Sequence, residues 1–329
     1  MAIAIFDHLA TKVRHISNII LIRKRLAIIL LAVTITIYIV STQNLSLGFE
    51  SRKVRVIPDI IAKEYVHPDP DFAKLGHEKD LYVDHIYCIT AKDKQDRRDN
   101  MNNQFELLGI RAEYVMGVDW KNDESAKDIL KHTKPYLRDE QNACWVSHLR
   151  LWKDIVAKGY KTALILEDDI DFSMNIKETM KTSLEILNRR TRATANHEDH
   201  DFGWDIFYPG HCSDFEKYQD SVDPSFKDLR YGIMPFCTHG YVVNIKSAAL
   251  LVDLMSIPLE RALDLHMVFH SAFSTEKGVL RMFSIEPSQI NQRRDLYKND
   301  PGIRNIHFLS PPNSTLDYIS NNPQVLLNK

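Results

Sequence analysis

The chain has 329 residues, 44% of them hydrophobic and 26% charged, with a formal net charge of −2. This is a globular composition, and the near-neutral balance excludes the polycationic surface on which nucleic-acid binding depends. The length accommodates two domains or one large α/β domain.

Charge is uneven at the N-terminus. Lys12, Arg14, Arg23, Lys24 and Arg25 precede Leu26 to Thr42, a 17-residue stretch with no charge. A helix of that length spans roughly 25 Å, the short end of what crosses a bilayer. A cleaved signal peptide has a brief basic segment, a shorter apolar core and a small-residue cleavage site. Here 25 residues lead the block and no Ala-x-Ala-like site follows. The pattern predicts a signal-anchor at 26–42, a cytosolic tail at 1–25 and a lumenal remainder, because basic flanks stay inside. A short span suits the thinner membranes of the endoplasmic reticulum or Golgi. The sequons Asn44-Leu-Ser46 and Asn313-Ser-Thr315 fit that side of the membrane.

Residues 43–80 read as a stem punctuated by Pro58, Pro68 and Pro70. A folded domain is expected over 81–300, followed by a C-terminal tail at 301–329. Strands are predicted at 81–90, 112–118, 162–166, 204–208 and 241–244, and helices at 96–108, 142–158, 176–187 and 247–253. This alternation predicts one mostly parallel sheet with helices on both faces. Residues 188–201, rich in Arg, Asp, Glu and His without apolar period, read as a surface loop. Four cysteines allow three full pairings. Cys88 and Cys144 lie in apolar elements and are expected as buried thiols, and the lack of any Cys-x-x-Cys spacing disfavours zinc.

The densest chemistry is at Thr162-Ala-Leu-Ile-Leu-Glu-Asp-Asp-Ile-Asp171. A buried strand ends in Glu167, Asp168 and Asp169, with Asp171 just behind. Ligand sites in open α/β sheets lie past the carboxyl ends of strands. Adjacent carboxylates repel unless a cation joins them, and hard divalent ions prefer such oxygen donors. Residues two apart point to the same side of an extended segment. Glu167 and Asp169 are therefore the expected metal-facing pair, with Asp168 turned away from them. The alternative is a solvated loop and helix N-cap. Just upstream, Cys144, Ser147, Leu151 and Ile155 keep helical spacing, as do Trp145, Leu149, Trp152 and Val156, so this helix is buried over much of its circumference.

Cys144-x-x-Ser-His-x-x-Leu-Trp152, then Gly159-Tyr, then Ala163-Leu-Ile-Leu-Glu-Asp-Asp169 resembles glycosyltransferase family 25. That family holds bacterial lipooligosaccharide galactosyltransferases and animal collagen galactosyltransferases. The likeness extends through Ile86-Tyr-Cys-Ile-Thr90, Asp96-Arg-Arg98, Leu108-Gly-Ile110, Val118-Asp119, Thr238-His-Gly-Tyr-Val-Val243 and Asp264, covering roughly residues 81–293. One departure is Thr90-Ala-Lys92, where family members carry Asn-Leu and a basic residue. The resemblance implies the glycosyltransferase A-type fold and an inverting, Mn²⁺-dependent transfer of galactose from a UDP-sugar to a glycan or glycoprotein. Thr90, Arg97, Ser147, His148 and Asp168 are then the expected donor-binding residues. For Arg97 a solvated helix face is the alternative, and for His148 a buried, satisfied ring. Asp264 is the expected base, with Glu286 in reserve, and His239, His266 and His270 are further imidazoles for a metal. A non-catalytic carbohydrate-binding scaffold is the second functional class, and a metal-dependent hydrolase the third.

Overall fold

A computed structural model describes residues 80–124, 127, 137–194, 202–212, 215–256, 260–272, 278–293 and 311–326. All of them belong to one compact unit, Val56–Lys329. The expected tail and anchor, and the stem as far as residue 79, lie outside the described residues. Among the described residues no helix is long and apolar enough to cross a membrane.

The order is β1 (His85–Thr90), α1 (Gln95–Leu108), β2 (Glu113–Met116), α2 (Asp139–Lys158), β3 (Thr162–Glu167), β4 (Ile170–Phe172) and α3 (Ile176–Thr194). It continues with β5 (Ile206–Gly210), β6 (Ser221–Asp223), β7 (Phe226–Tyr231), β8 (Gly240–Asn244), α4 (Ile245–Met255) and α5 (Leu263–Phe269). The last elements are β9 (Met282–Ile285), β10 (Ile290–Gln292) and α6 (Thr315–Asn321). Eight strands form one sheet in the order β2-β1-β3-β8-β5-β9-β7-β6, and β10 pairs with β4 apart from it.

The mostly parallel sheet expected from the alternation is instead mixed. β1 runs parallel to β2 and β3, and β5 parallel to β9. β8 is antiparallel to both β3 and β5, and β7 to both β9 and β6. β8 runs directly into α4, whose N-cap Asn244 accepts from Ser247 N while Ser247 Oγ accepts from Asn244 N.

Strand alternation divides the core into two. Ile86, Cys88, Leu164, Leu166, Phe207 and Val242 face one side with Met101 and Phe105 of α1 and Ile176, Met180 and Leu184 of α3. Tyr87, Ala163, Ile165, Ile206, Tyr241 and Val243 face the other with α2, α4 and α5. Helices thus cover both faces, as the apolar circumference of α2 required. Two fully buried tryptophans of α2 satisfy their indole N–H groups, Trp145 on Met255 O and Trp152 on Tyr241 Oη. α2 stops at Gly159, whose φ of 71° suits a residue without Cβ, and β3 follows at Thr162. Helix α3 continues through the start of the expected 188–201 loop as far as Thr194. Cys212 and Cys237 form a disulfide, while Cys88 and Cys144 do not.

Asp171, one step beyond the acidic cluster, serves the fold. It is fully buried and accepts from Arg293 Nη1, Ser314 Oγ, Thr315 Oγ1 and Leu316 N at 2.6–3.2 Å. Gln104 of α1 completes the knot, donating to Ile170 O and accepting from Phe172 N and Thr315 Oγ1. The folded unit therefore extends past residue 300, since α6 is held to β4 and α1 by these bonds. Removing one partner of a buried pair leaves the other desolvated and costs about 3–5 kcal/mol. Asp171→Ala is expected to lower the melting temperature on the order of 10 °C. A thermal melt that shifts by less than about 2 °C, under 1 kcal/mol for a unit of this size, would contradict that role.

Candidate active site

The carboxyl end of β3 sits between two neighbours of opposite direction. Parallel β1 presents its own carboxyl end, Thr90. Antiparallel β8 presents the residues just before its start, Thr238 and His239. Ile89 pairs with Glu167 and Gly240 with Leu166, so all three segments meet at the carboxylates.

Asp168 and its neighbours point to different partners. Asp168 is buried, accepting from Thr90 Oγ1 at 2.7 Å and from Arg97 Nη1 at 2.9 Å. Arg97 Nη1 also lies 3.5 Å from Asp169 Oδ2. Arg97 is itself buried, so it is not the solvated helix face that was the alternative. Arg98 Nη1 reaches Thr90 Oγ1 at 3.2 Å. Glu167 and Asp169 share a further partner, Gln292, whose Nε2 lies 3.2 Å from Glu167 Oε2 and 3.2 Å from Asp169 Oδ1. Thr238 Oγ1 donates to Glu167 Oε1 at 2.7 Å. Beneath them, burial and then the charges of Asp168, Asp169 and Glu167 hold the Cys88 thiol well above its usual value, so it stays neutral.

Helix α2 approaches the same point with His148. The ring is buried, its Nδ1 2.8 Å from Tyr241 Oη and its Nε2 3.6 Å from Glu167 Oε1. The adjacent Ser147 points elsewhere. Its hydroxyl donates to Ala143 O and accepts from Val118 N, tying α2 to the segment after β2.

Gln292 carried no sequence signal as a site residue, and Thr238 only its place in the family-like stretch 238–243. Gln292 arrives on β10, a three-residue strand, and β10 fits only because β5 ends in glycine. A Cβ on Gly210 would lie 2.5 Å from Ile290 O and 2.7 Å from Ile290 Cβ. Thr238 follows Cys237, which holds a φ of 71° between its disulfide to Cys212 and a bond from its N–H to Asp264 Oδ2 at 3.2 Å. Asp264, in the first turn of α5, is thus joined to the cluster through two consecutive residues. Its charge, together with burial as the larger cause, raises the pKa of Tyr208.

The other candidates have separate surroundings. Glu286 lies 3.7 Å from His211 Nε2. His239 Nε2 is 2.8 Å from Ile290 O. His266 is pushed down to about 4 by burial and then by the His270 and Arg261 charges, so it is neutral at physiological pH.

Residues 83–267 match glycosyltransferase family 25 (LPS biosynthesis protein). Procollagen galactosyltransferase 1-B of Xenopus laevis is 26% identical over 229 residues, 63% of this chain and 35% of that protein. A glycosyltransferase 25 family member of Drosophila melanogaster is 28% identical over 200 residues, 57% and 30% of the two. Procollagen galactosyltransferase 2 of Homo sapiens is 24% identical over 265 residues, 74% and 40% of the two. The chain thus spans about a third of the length of these relatives. The crystal structure of a glycosyltransferase involved in the glycosylation of the major capsid of PBCV-1 covers 62% of this chain and 82% of its own. At 9% identity and a TM-score of 0.32 it is too distant to carry an argument. On the family match over more than half of its length, the chain belongs to glycosyltransferase family 25.

Proposed function

We propose that this chain is a metal-dependent galactosyltransferase of the A-type fold, moving galactose with inversion from UDP-galactose to a glycan or glycoprotein. The observation that carries the reading is the convergence of Glu167 and Asp169 on one point at the end of β3, in a family 25 chain. The galactose donor and the acceptor class are supported by the names of the relatives.

The residues fit a hard divalent ion. Two carboxylate oxygens from separate residues approach a single atom, the Gln292 nitrogen, and an all-oxygen pair of this kind suits Mn²⁺ or Mg²⁺. Held by Glu167 and Asp169, such an ion would stabilise the negative charge that grows on the leaving diphosphate, by several kcal/mol. The protein's own groups supply the rest. Arg97 and Thr90 orient Asp168 towards the donor, and Arg97 brings positive charge to the phosphate side. His148 steadies Glu167, and Ser147 acts on the donor through the segment after β2 that it supports. Asp264 accepts the proton of the acceptor hydroxyl as that oxygen attacks the anomeric carbon.

The same proposal includes a type II orientation in the endoplasmic reticulum or Golgi, with residues 26–42 as anchor and the described unit in the lumen. The charge pattern of residues 1–42 supports it, as does the Cys212–Cys237 disulfide, which persists in an oxidising compartment. Asn313 of the second sequon is exposed.

Assayed against a panel of UDP-sugars, the protein is expected to turn over UDP-galactose with Mn²⁺ and to stop in chelator. Asp169→Asn keeps the shape and removes the charge. It should lower turnover about a hundredfold or more, equivalent to ~3 kcal/mol of transition-state stabilisation. Undiminished turnover by this variant, or by wild type in chelator, would remove the metal mechanism. A folded protein inactive with every donor would favour the non-catalytic scaffold.

Asp264→Asn should separate from Asp169→Asn. Mn²⁺-dependent UDP binding, read by calorimetry, should stay within about threefold of wild type, while transfer falls about a hundredfold or more, the lower end of what one general base contributes. Loss of UDP binding in Asp264→Asn would instead place this carboxylate on the donor side. In sealed microsomes, residues 43–329 should resist added protease until detergent is present. Cleavage near Asp169 without detergent would overturn the topology.

A further inference from the structure

We propose a second metal site, formed by Cys144, His148 and Glu167, that takes a thiophilic ion of the Zn²⁺ class. Cys144 and His148 are one turn apart on α2, so both side chains stand over the same patch. Glu167 faces them from the end of β3. The three ligand atoms all lie within 4.8 Å of one another. His148 Nε2 and Glu167 Oε1, at 3.6 Å, are near the roughly 3.3 Å separation of two nitrogen or oxygen ligands on a tetrahedral zinc with ~2 Å bonds. Side-chain movement of about 1 Å closes the remainder to bonding distance.

The surroundings are those of a built site. His148 is held from behind, its Nδ1 against Tyr241 Oη and that hydroxyl against Trp152 Nε1, all three residues buried. Imidazoles that bind metal are usually fixed through the other ring nitrogen in this way. Cys144 is half-buried and the Glu167 side chain keeps 21% exposure, which leaves an entry path. Thr238 Oγ1 stands 3.9 Å from Cys144 Sγ and 2.7 Å from Glu167 Oε1, so a hydroxyl adjoins two of the three ligand atoms. Binding replaces the thiol proton, which leaves to solvent. Thiolate, carboxylate and a dication then sum to zero charge.

The donor set distinguishes this site from the all-oxygen pair. Sulfur and imidazole select zinc over manganese or magnesium. It also uses the other edge of the same carboxylate: Oε1 faces His148, while Oε2 faces Gln292 and Asp169. Binding alone does not depend on the proposed function. Only its consequence rests on that reading, namely that zinc on Oε1 competes for the carboxylate that the transfer reaction needs.

The test is a Co²⁺ titration of the full chain without reductant, which keeps Cys212–Cys237 closed. The chain has four cysteines, and Cys88 is buried in the core. A thiolate-to-cobalt charge-transfer band should therefore appear, saturate at one equivalent, be displaced by Zn²⁺ and be absent from Cys144→Ser with wild-type circular dichroism. No band, or the same band in Cys144→Ser, overturns the site. A measurement on the unsubstituted chain covers a variant that fails to fold. Alkylation of Cys144, mapped by mass spectrometry, should slow at least tenfold in saturating Zn²⁺, and an unchanged rate would overturn the proposal. Both readouts are free of donor and acceptor, so a chain that transfers no sugar still answers them.

Discussion

Repulsion among Glu167, Asp168 and Asp169 is the constraint around which the rest of the structure is arranged. Two unit charges 4 Å apart interact by about 4 kcal/mol at the effective dielectric of a protein surface, enough to disorder a strand end that did not separate them. The turn at Asp168 and Asp169 does the first part, giving Asp168 and Glu167 different partners. The partners then differ in kind. Asp168 receives a guanidinium and a hydroxyl, and Arg97 also approaches Asp169. Glu167 and Asp169 share a neutral amide. A neutral donor orients two carboxylates without cancelling their charge, which keeps the pair attractive to a cation. Asp171 is removed from the problem, neutralised by Arg293 and turned into the anchor of α6.

The mixed sheet follows from where those partners must come from. A parallel neighbour brings its carboxyl end to the carboxyl end of β3, and β1 delivers Thr90 in that way. An antiparallel neighbour brings its beginning, so β8 delivers the loop that precedes it. An all-parallel sheet would have placed Thr238 at the far edge, away from Glu167. The loop is then clamped at Cys237, by the disulfide to Cys212 and by Asp264. Cys212 Sγ in turn packs 3.7 Å from Gln292 Oε1, so one covalent bond lies against both neutral donors.

Much of this was legible in the sequence because it is local. The apolar run into Glu167-Asp-Asp, the apolar circumference of α2 and the strand at 241–244 appear within a few residues of their true bounds. So does the choice of Cys88 and Cys144 as the thiols. Non-local features were hidden. The direction of β8 depends on which strands it joins, and periodicity is blind to that. β10 is three residues long and, among the described residues, pairs only with β4, so Gln292 gives no pattern to read, and its access depends on a glycine 82 positions earlier, Gly210. A search for Cys-x-x-Cys also passes over Cys144 and His148, a helical turn apart, because Glu167, which faces them, comes from another element.

Ser147 and His148 show why adjacent motif residues need not share a task. On a helix successive side chains diverge by about 100°, since 3.6 residues make a turn. Ser147 accordingly faces the segment after β2, where it receives Val118 N, and His148 faces the end of β3. Because α2 is buried on both of these sides, each residue transmits its position rather than its chemistry: one to the loop beside Thr90, the other to a single oxygen of Glu167. Gly117 N donates to Thr90 O at 2.8 Å, so the strut from Ser147 ends on the same strand that holds Asp168. The helix therefore braces both sides of the acidic cluster at once. A change in its packing, at Trp152 or Tyr241 for example, reaches the carboxylates without touching them.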